Sequence, residues 1–304
     1  MEFEANFIEQ DGFTIPDWAS MDESLARLSH NAELVAAYEG IVGQWIRLLA
    51  EDLGGNYRAI ETRQAFLVTD APEGEAKALA GFIGRARDSI DGFLGAAADP
   101  LDRYRRLVLV LSEADDYYAY VSRYYSTDRV SASAGVCLSG VGYAHVVVQH
   151  TDSLWATQRC LAHELAHVST VHLRLPGWLG EGISLRSELI LVPLPGGETI
   201  VVEEDHHGFW TAYNIQEFWA GTAFLADGDL QRLSYNLANV LFDLVRQQGE
   251  ALFWFLRQAR WEDAGHTACH ECFGFGLDDL AATFLGEGDW RPDRRRIKQL
   301  LEGP

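Results

Sequence analysis

Two histidines and a glutamate lie at a spacing that suits metal-assisted hydrolysis. The stretch CLAHELAHVST, residues 160–170, contains the pattern H-E-x-x-H, formed by His163, Glu164 and His167. On an α-helix, residues four apart lie on one face about one turn apart, so the two imidazoles can bind one ion. Glu164 projects beside them, close enough for its carboxylate to contact a water on that ion. The pattern is short, however, and it also occurs by chance on solvated helices that bind no metal.

A third ligand is needed to decide between these interpretations, because catalytic zinc usually takes three protein ligands plus water. A metzincin-type site requires a further histidine six residues after the second one, with a glycine between them. Those positions are occupied by Leu173 and Thr170, and His172 is one residue out of register. The metzincin arrangement is therefore excluded.

The other common arrangement takes a glutamate from the next helix, and this chain has one. In LPGWLGEGIS, residues 175–184, Pro176 and Gly177 end the first helix, and Glu181 lies at the start of a second. Glu181 follows His167 by 14 residues, which leaves room for a helix end, a turn and a returning helix. We therefore expect Glu181 to face the two histidines.

These paired motifs carry a family resemblance. HELAH followed by PGWLGEGIS resembles the signature H-E-x-x-H and W-L-x-E-G-x-A of bacterial gluzincin-type metallopeptidases, the thermolysin-like clan. Flanking stretches extend the resemblance over roughly residues 60–290, and Ser184 stands where the family more often has alanine. The resemblance implies a zincin-like metallopeptidase fold of class α+β. In that fold a small mixed sheet with an active-site edge strand accompanies a mainly helical C-terminal lobe.

The resemblance also implies a function, that of a zinc-dependent peptidase. One Zn2+ would be held by His163, His167 and Glu181, with water in the fourth position. Glu164 would act as general base on that water and then pass the proton to the leaving amine. Two alternatives stay open: a catalytically lapsed zincin-fold protein with a binding or regulatory role, and a zinc hydrolase of a non-peptide amide or ester.

Two further groups of site residues follow from the resemblance. Tyr235 stands where the resembling sequences carry a tyrosine that donates a hydrogen bond to the oxyanion, with Tyr213, His206 and His207 as alternatives. In this clan an edge strand of the sheet pairs with extended substrate through backbone hydrogen bonds. The corresponding stretch begins at residue 142, which implies substrate binding by Gly142, Tyr143, Ala144 and His145.

Hydrophobic periodicity and the resemblance together divide the chain into the regions that must position these residues. We expect residues 1–58 to form an N-terminal helical extension. The resemblance implies that residues 59–304 form the metallopeptidase domain, with an α/β lobe that contains the edge strand at 59–152 and a helical lobe that carries the zinc site at 153–304. A hairpin is predicted at 188–204, where β-branched runs flank Pro-Gly-Gly.

The individual elements are predicted from alternation, helical spacing and turn residues. Strands are expected at 65–70, 105–112, 134–139 and 142–150. Helices are expected within 20–53 and at 72–95, 115–125, 215–226, 233–249, 250–261, 277–286 and the C-terminal tail.

The amino-acid composition limits the classes of partner that the chain can bind. The 24 Lys and Arg residues against 45 Asp and Glu residues give a net charge of −21, which disfavours binding to nucleic acid and to anionic membranes. No stretch approaches the ~18 uninterrupted apolar residues of a membrane-spanning helix. The acidic N-terminus does not resemble a secretory signal, and four cysteines make no disulfide scaffold. We therefore expect a cytoplasmic protein, and the resemblance implies that it acts on a peptide or protein substrate.

Overall fold

The computed structural model describes residues 4–28, 31–98, 105–124, 134–139, 143–151, 153–195 and 203–302. The chain divides into two compact units: Met1–Ser89 with Pro100–Val168, and Ile90–Asp99 with Ser169–Pro304. The divisions after Ser89 and after Val168 both lie within continuous helices. The boundaries predicted at residues 58 and 152 stay predictions.

The first unit contains all seven strands of the described chain and five helices. The strands are β1 (Phe7–Gln10), β2 (Phe13–Pro16), β3 (Arg58–Glu61), β4 (Ala65–Thr69), β5 (Arg106–Leu111), β6 (Gly135–Ser139) and β7 (Ala144–Gln149). The helices are α1 (Trp18–Ala26), α2 (Asn31–Leu53), α3 (Glu73–Leu94), α4 (Ala114–Val121) and α5 (Leu154–Thr170), of which α3 and α5 continue into the second unit. The four predicted strands are confirmed, as are the helices predicted between residues 20 and 125.

Five of the strands form one mixed sheet in the order β3-β4-β5-β7-β6. The neighbours β4, β5 and β7 are parallel, whereas β3 and β6 pair antiparallel at the two ends. Every residue of β4 and β5 is buried, which explains why both strands are apolar apart from Thr69 and Arg106 at their ends. Because β7 lies between β5 and β6, the prediction that this strand forms the sheet edge was wrong; the edge on this side is β6.

The helix α2 packs against the sheet. Val42, Trp45 and Ile46 on α2 share one buried cluster with Phe66 on β4 and Leu109 on β5. The segment predicted as an N-terminal extension therefore supplies part of the core of the sheet.

The same N-terminal segment, residues 1–58, was predicted to be helical, but it also contains a β-hairpin. Strands β1 and β2 pair antiparallel around Asp11 and Gly12, whose φ angles are 51° and 81°. An Asp-Gly pair between alternating residues is a strong signal for this turn, because both positions adopt a left-handed backbone.

The second unit is helical. Its helices are α6 (Gly177–Leu191), α7 (Glu203–His206), α8 (Ile215–Ala220), α9 (Gly228–Val245), α10 (Ala251–Gln258), α11 (His266–Phe273), α12 (Leu277–Leu285) and α13 (Arg294–Glu302). Short 3-10 turns occupy Gly95–Ala97, Val171–Leu173, Thr222–Leu225, Arg246–Gln248 and Trp261–Asp263. The two units together confirm the mixed α+β class. No helix in the described ranges combines the length and apolar composition that crossing a membrane requires.

The predicted hairpin at 188–204 was wrong where the structure describes that segment. Helix α6 continues through Leu191, and helix α7 begins at Glu203; residues 196–202 lie outside the described residues. The apolar run Leu189–Leu191 is compatible with either a strand or a helix, and in the structure it forms the last turn of α6.

Helix α6 is held against α9 by a glycine. A Cβ added to Gly182 would lie 2.6 Å from the Cβ of Phe242 and 2.8 Å from the carbonyl oxygen of Ala238. One turn earlier, the indole of Trp178 is fully buried and donates to the carbonyl of Ala264 at 2.9 Å. Glu181 lies between these two contacts on a helix with little freedom to move.

We expect Gly182→Ala to lower the free energy of unfolding by about 1–3 kcal/mol, because the methyl group overpacks the α6–α9 contact. Urea unfolding of the two proteins measures this loss. Gly92→Ala on α3 is the control, since a Cβ there meets nothing within 4 Å. Equal stability of Gly182→Ala and wild type would contradict the packing described above.

Candidate metal centre

Helix α5 exposes its two histidines and buries their neighbours. The helix follows Ser153, whose hydroxyl oxygen accepts a hydrogen bond from the amide of Ala156 at 3.4 Å. Within residues 161–170, every position except His163 and His167 is buried. The apolar spacing of the sequence therefore fixes the rotation of the helix and leaves the two imidazoles accessible.

The two imidazoles converge. The Nε2 atoms of His163 and His167 are 3.1 Å apart, and the ring centroids are 4.9 Å apart. Two nitrogens bound tetrahedrally at Zn–N distances of 2.0–2.1 Å would be separated by roughly 3.3 Å. The observed separation therefore fits a shared zinc ion. The same separation also fits an N–H···N hydrogen bond between the two rings. A measurement of zinc binding distinguishes the hydrogen bond from a shared metal site.

Glu181 completes the group. After α5 ends at Thr170, a 3-10 turn and the left-handed residue Arg174, with φ 51°, reverse the chain before α6 begins at Gly177. His163, His167 and Glu181 each offer one ligand atom within 4.8 Å of the others. In the described residues no second group of three His, Cys, Asp or Glu side chains has this property.

These donors suit zinc. Two imidazole nitrogens and one carboxylate oxygen are the set that holds zinc in many hydrolases, leaving one coordination position open. His172, the out-of-register histidine, is engaged elsewhere, with its Nε2 atom 3.1 Å from the carbonyl oxygen of Ala97. The exclusion of a metzincin-type ligand set is thus consistent with the structure.

Glu164 lies on the side of α5 that faces β6. Its side chain is buried, and its Cγ atom would lie 3.1 Å from a Cβ added to Gly135. Burial raises the pKa of the Cys137 thiol to about 12, and the negative charge of Glu164 contributes to that increase. The carboxylate therefore lies close to the strand that forms the sheet edge.

Tyr235 lies on α9, the helix that packs against α6. It is half-buried, and its ring stands edge-on to that of Phe224 at 5.1 Å. Two of its competitors are engaged elsewhere: the Tyr213 hydroxyl accepts a hydrogen bond from Arg296, and the buried His206 accepts one from Trp210. The remaining competitor, His207, is exposed, and the role of Tyr235 stays a prediction.

The predicted substrate-binding residues do not form an open edge. Gly142 lies outside the described residues, and the Tyr143 hydroxyl donates to the carbonyl oxygen of Arg105 at 2.7 Å. Ala144 pairs with Ser139 on β6, and His145 is paired on both sides, with Leu107 and Leu138. The backbone of His145 is therefore not available to a substrate strand.

The His145 side chain also points away from α5. Its Nε2 atom is 2.9 Å from the hydroxyl of Tyr120, and its ring lies 5.3 Å from that of Trp45 on α2. The sheet face that meets α5 contains Gly135 and its cross-strand partner Val148 instead. Because side chains alternate between the faces of a strand, His145 faces the side of the sheet opposite α5, and its role in substrate binding stays a prediction.

Sequence reasoning overlooked Gly135. A glycine inside a strand often marks a close backbone approach, and the pattern AGVCLS contained that signal.

Comparisons of the chain with protein-family models, with curated proteins and with solved structures found no match. We therefore infer function from the geometry and chemistry of the site.

The burial of His145 predicts an acid-sensitive fold. Burial, assisted by the charge of Arg123, lowers the pKa of His145 from 6.5 to about 3. Between these two pH values the unfolded chain binds a proton that the folded chain does not. This histidine therefore reduces the free energy of unfolding as pH falls, by up to about 1.4 kcal/mol per pH unit.

Urea unfolding of wild type and His145→Gln between pH 7 and pH 4.5 measures this contribution. We expect a shallower acid-side slope for the variant, because glutamine cannot take up the proton. Parallel slopes for the two proteins would contradict the assignment.

Proposed function

We propose that the chain is a zinc-dependent peptidase of the gluzincin type with a zincin-like fold. The observation that carries this proposal is the convergence of His163, His167 and Glu181, with Glu164 on the same helix beside strand β6. Three ligands leave one coordination position for chemistry. The acidic composition of the chain gives no support for a nucleic acid or membrane partner. We place the peptidase in the cytoplasm on its cysteine usage.

Zinc in this site would act as a Lewis acid that activates water and polarises a carbonyl group. His163, His167 and Glu181 would hold the ion. Glu164, one residue from the first ligand, takes the proton of the attacking water and returns it to the leaving amine. Its burial keeps bulk water from competing for that proton. Tyr235 donates a hydrogen bond to the developing oxyanion.

As the last strand of the described sheet, β6 could supply a place for an extended polypeptide. Among the described strands, β6 pairs with β7 on one side only. Edge strands present unpaired backbone groups, and an extended peptide can add to them as a further strand. Because Glu164 lies against Gly135 on this strand, a peptide bound there passes close to the general base. This position favours a peptide bond over an isolated small amide as the substrate.

Zinc binding is the first test. We expect the purified chain to bind one zinc ion, and Glu181→Gln to weaken that binding at least about 100-fold because a ligand is lost. Competition with a chelator that changes colour on binding zinc measures both affinities. His172→Asn is the matched control, since His172 contacts the Ala97 carbonyl and is expected to leave zinc affinity unchanged. A wild-type chain that takes up no zinc would contradict the site.

Glu164→Gln tests the chemistry separately from the metal. The amide is similar in size but cannot take the proton of water, so we expect kcat on a mixed peptide library to fall at least about 100-fold. Zinc content should stay at the wild-type value. Equal turnover by the two proteins would exclude this mechanism. Zinc binding without turnover of any peptide would instead favour a lapsed enzyme or a non-peptide substrate.

A further inference from the structure

We propose that Gly135 is a positioning residue for Glu164. In this role the missing side chain of Gly135 provides the space in which the Glu164 stem lies, and thereby sets the distance between the general base and the β6 edge. The proposal rests on the proposed function.

The contacts around Gly135 come from three directions. A Cβ added at this position would lie 2.4 Å from the Sγ atom of Cys160, 3.1 Å from the Cγ atom of Glu164 and 3.3 Å from the Cγ2 atom of Val148. The first two atoms belong to α5, one helical turn apart, and Val148 is the buried cross-strand partner of Gly135. A methyl group would therefore be confined between the sheet and the helix.

Backbone conformation does not explain this glycine. Gly135 is absent from the residues with positive φ, so an L side chain could adopt its backbone angles without strain. The same residue is buried and fully paired with β7. The requirement for glycine is therefore one of space, and the space is occupied by the side chains of Cys160 and Glu164.

The position of Glu164 along β6 follows from this contact. The Glu164 stem lies over Gly135, and Cys137 lies two residues further along the same face of the strand. The contact at Gly135 thus sets how closely the Glu164 side chain approaches β6.

A side chain at position 135 would separate the base from the peptide. Either Glu164 or β6 must move by several tenths of an ångström, and displacements of about 1 Å can cost 100-fold in rate. The proposed zinc ligands are other residues, and the substitution adds no polar group to β6. The expected effect is on kcat, with little change in zinc affinity or KM.

Three variants test this role: Gly135→Ala, Cys160→Ala and the double variant Gly135→Ala/Cys160→Ala. We expect kcat to fall about 10- to 100-fold in Gly135→Ala, with KM and the zinc dissociation constant within about threefold of wild type. Cys160→Ala alone should retain nearly all activity. The double variant removes the 2.4 Å contact, so its melting temperature should recover. Its kcat should stay low because the contact with Glu164 remains.

Recovery of kcat together with stability in the double variant would overturn the proposal, since Gly135 would then serve only to accommodate Cys160. Unchanged kcat in Gly135→Ala would overturn it as well. If Gly135→Ala does not fold, the double variant alone decides between these outcomes. Gly84→Ala on α3 is the matched control, because its Cβ would meet only the Gln64 side chain, and its kcat should equal that of wild type.

A measurement independent of activity separates this proposal from the proposed function. Crystal structures of wild type and the double variant show whether the Glu164 side chain or β6 is displaced. An unmoved Glu164 beside an unmoved β6 would overturn the role of Gly135. A wild-type chain without peptidase activity would contradict the proposed function, whatever the position of Glu164.

Discussion

The burial of α5 determines the geometry of the candidate site. Leu161, Leu165 and Ala166 are almost fully buried, so the helix cannot rotate without exposing apolar surface. This rotation directs Glu164 towards β6 and leaves the two histidines half-exposed on another face. Hydrophobic packing thereby gives residues 163 and 164, which are neighbours in the chain, different orientations. The proposed metal ligands and the proposed base are in this way directed to different sides of one helix.

Two close approaches refine this arrangement, and each depends on a glycine. Gly182 allows α6 to lie against α9, and Gly135 allows β6 to lie against α5. In both cases the neighbouring residue of interest is a glutamate, Glu181 next to the first glycine and Glu164 beside the second. A small residue at a packed position lets two elements lie in close contact. That contact limits how far a long side chain beside it can move. Carboxylates that must act at a fixed distance benefit from such support.

The sequence predicted the local parts of the site and missed its non-local parts. The spacing of His163 and His167 and the position of Glu181 depend on helical periodicity and a short turn, which the sequence records directly. The order of strands in the sheet depends on pairings between distant segments, so β7 was assigned to the edge that belongs to β6. Which face of the sheet lies against α5 also depends on tertiary packing, so the sequence did not reveal that His145 faces away from that helix. A glycine inside a strand, such as Gly135, is a local signal of a close approach by another element. The sequence does not show that the approaching element is α5.

The thiol of Cys137 adds a chemical property to this neighbourhood. Burial and the nearby Glu164 keep its pKa near 12, so the sulfur stays protonated throughout the physiological range. A neutral thiol is a poor nucleophile and a poor metal ligand, because both roles require the thiolate. A thiol held in its protonated form is therefore a weak nucleophile beside the Glu164 side chain. Burial contributes most to this protonation, and the carboxylate that is proposed to activate water adds to it.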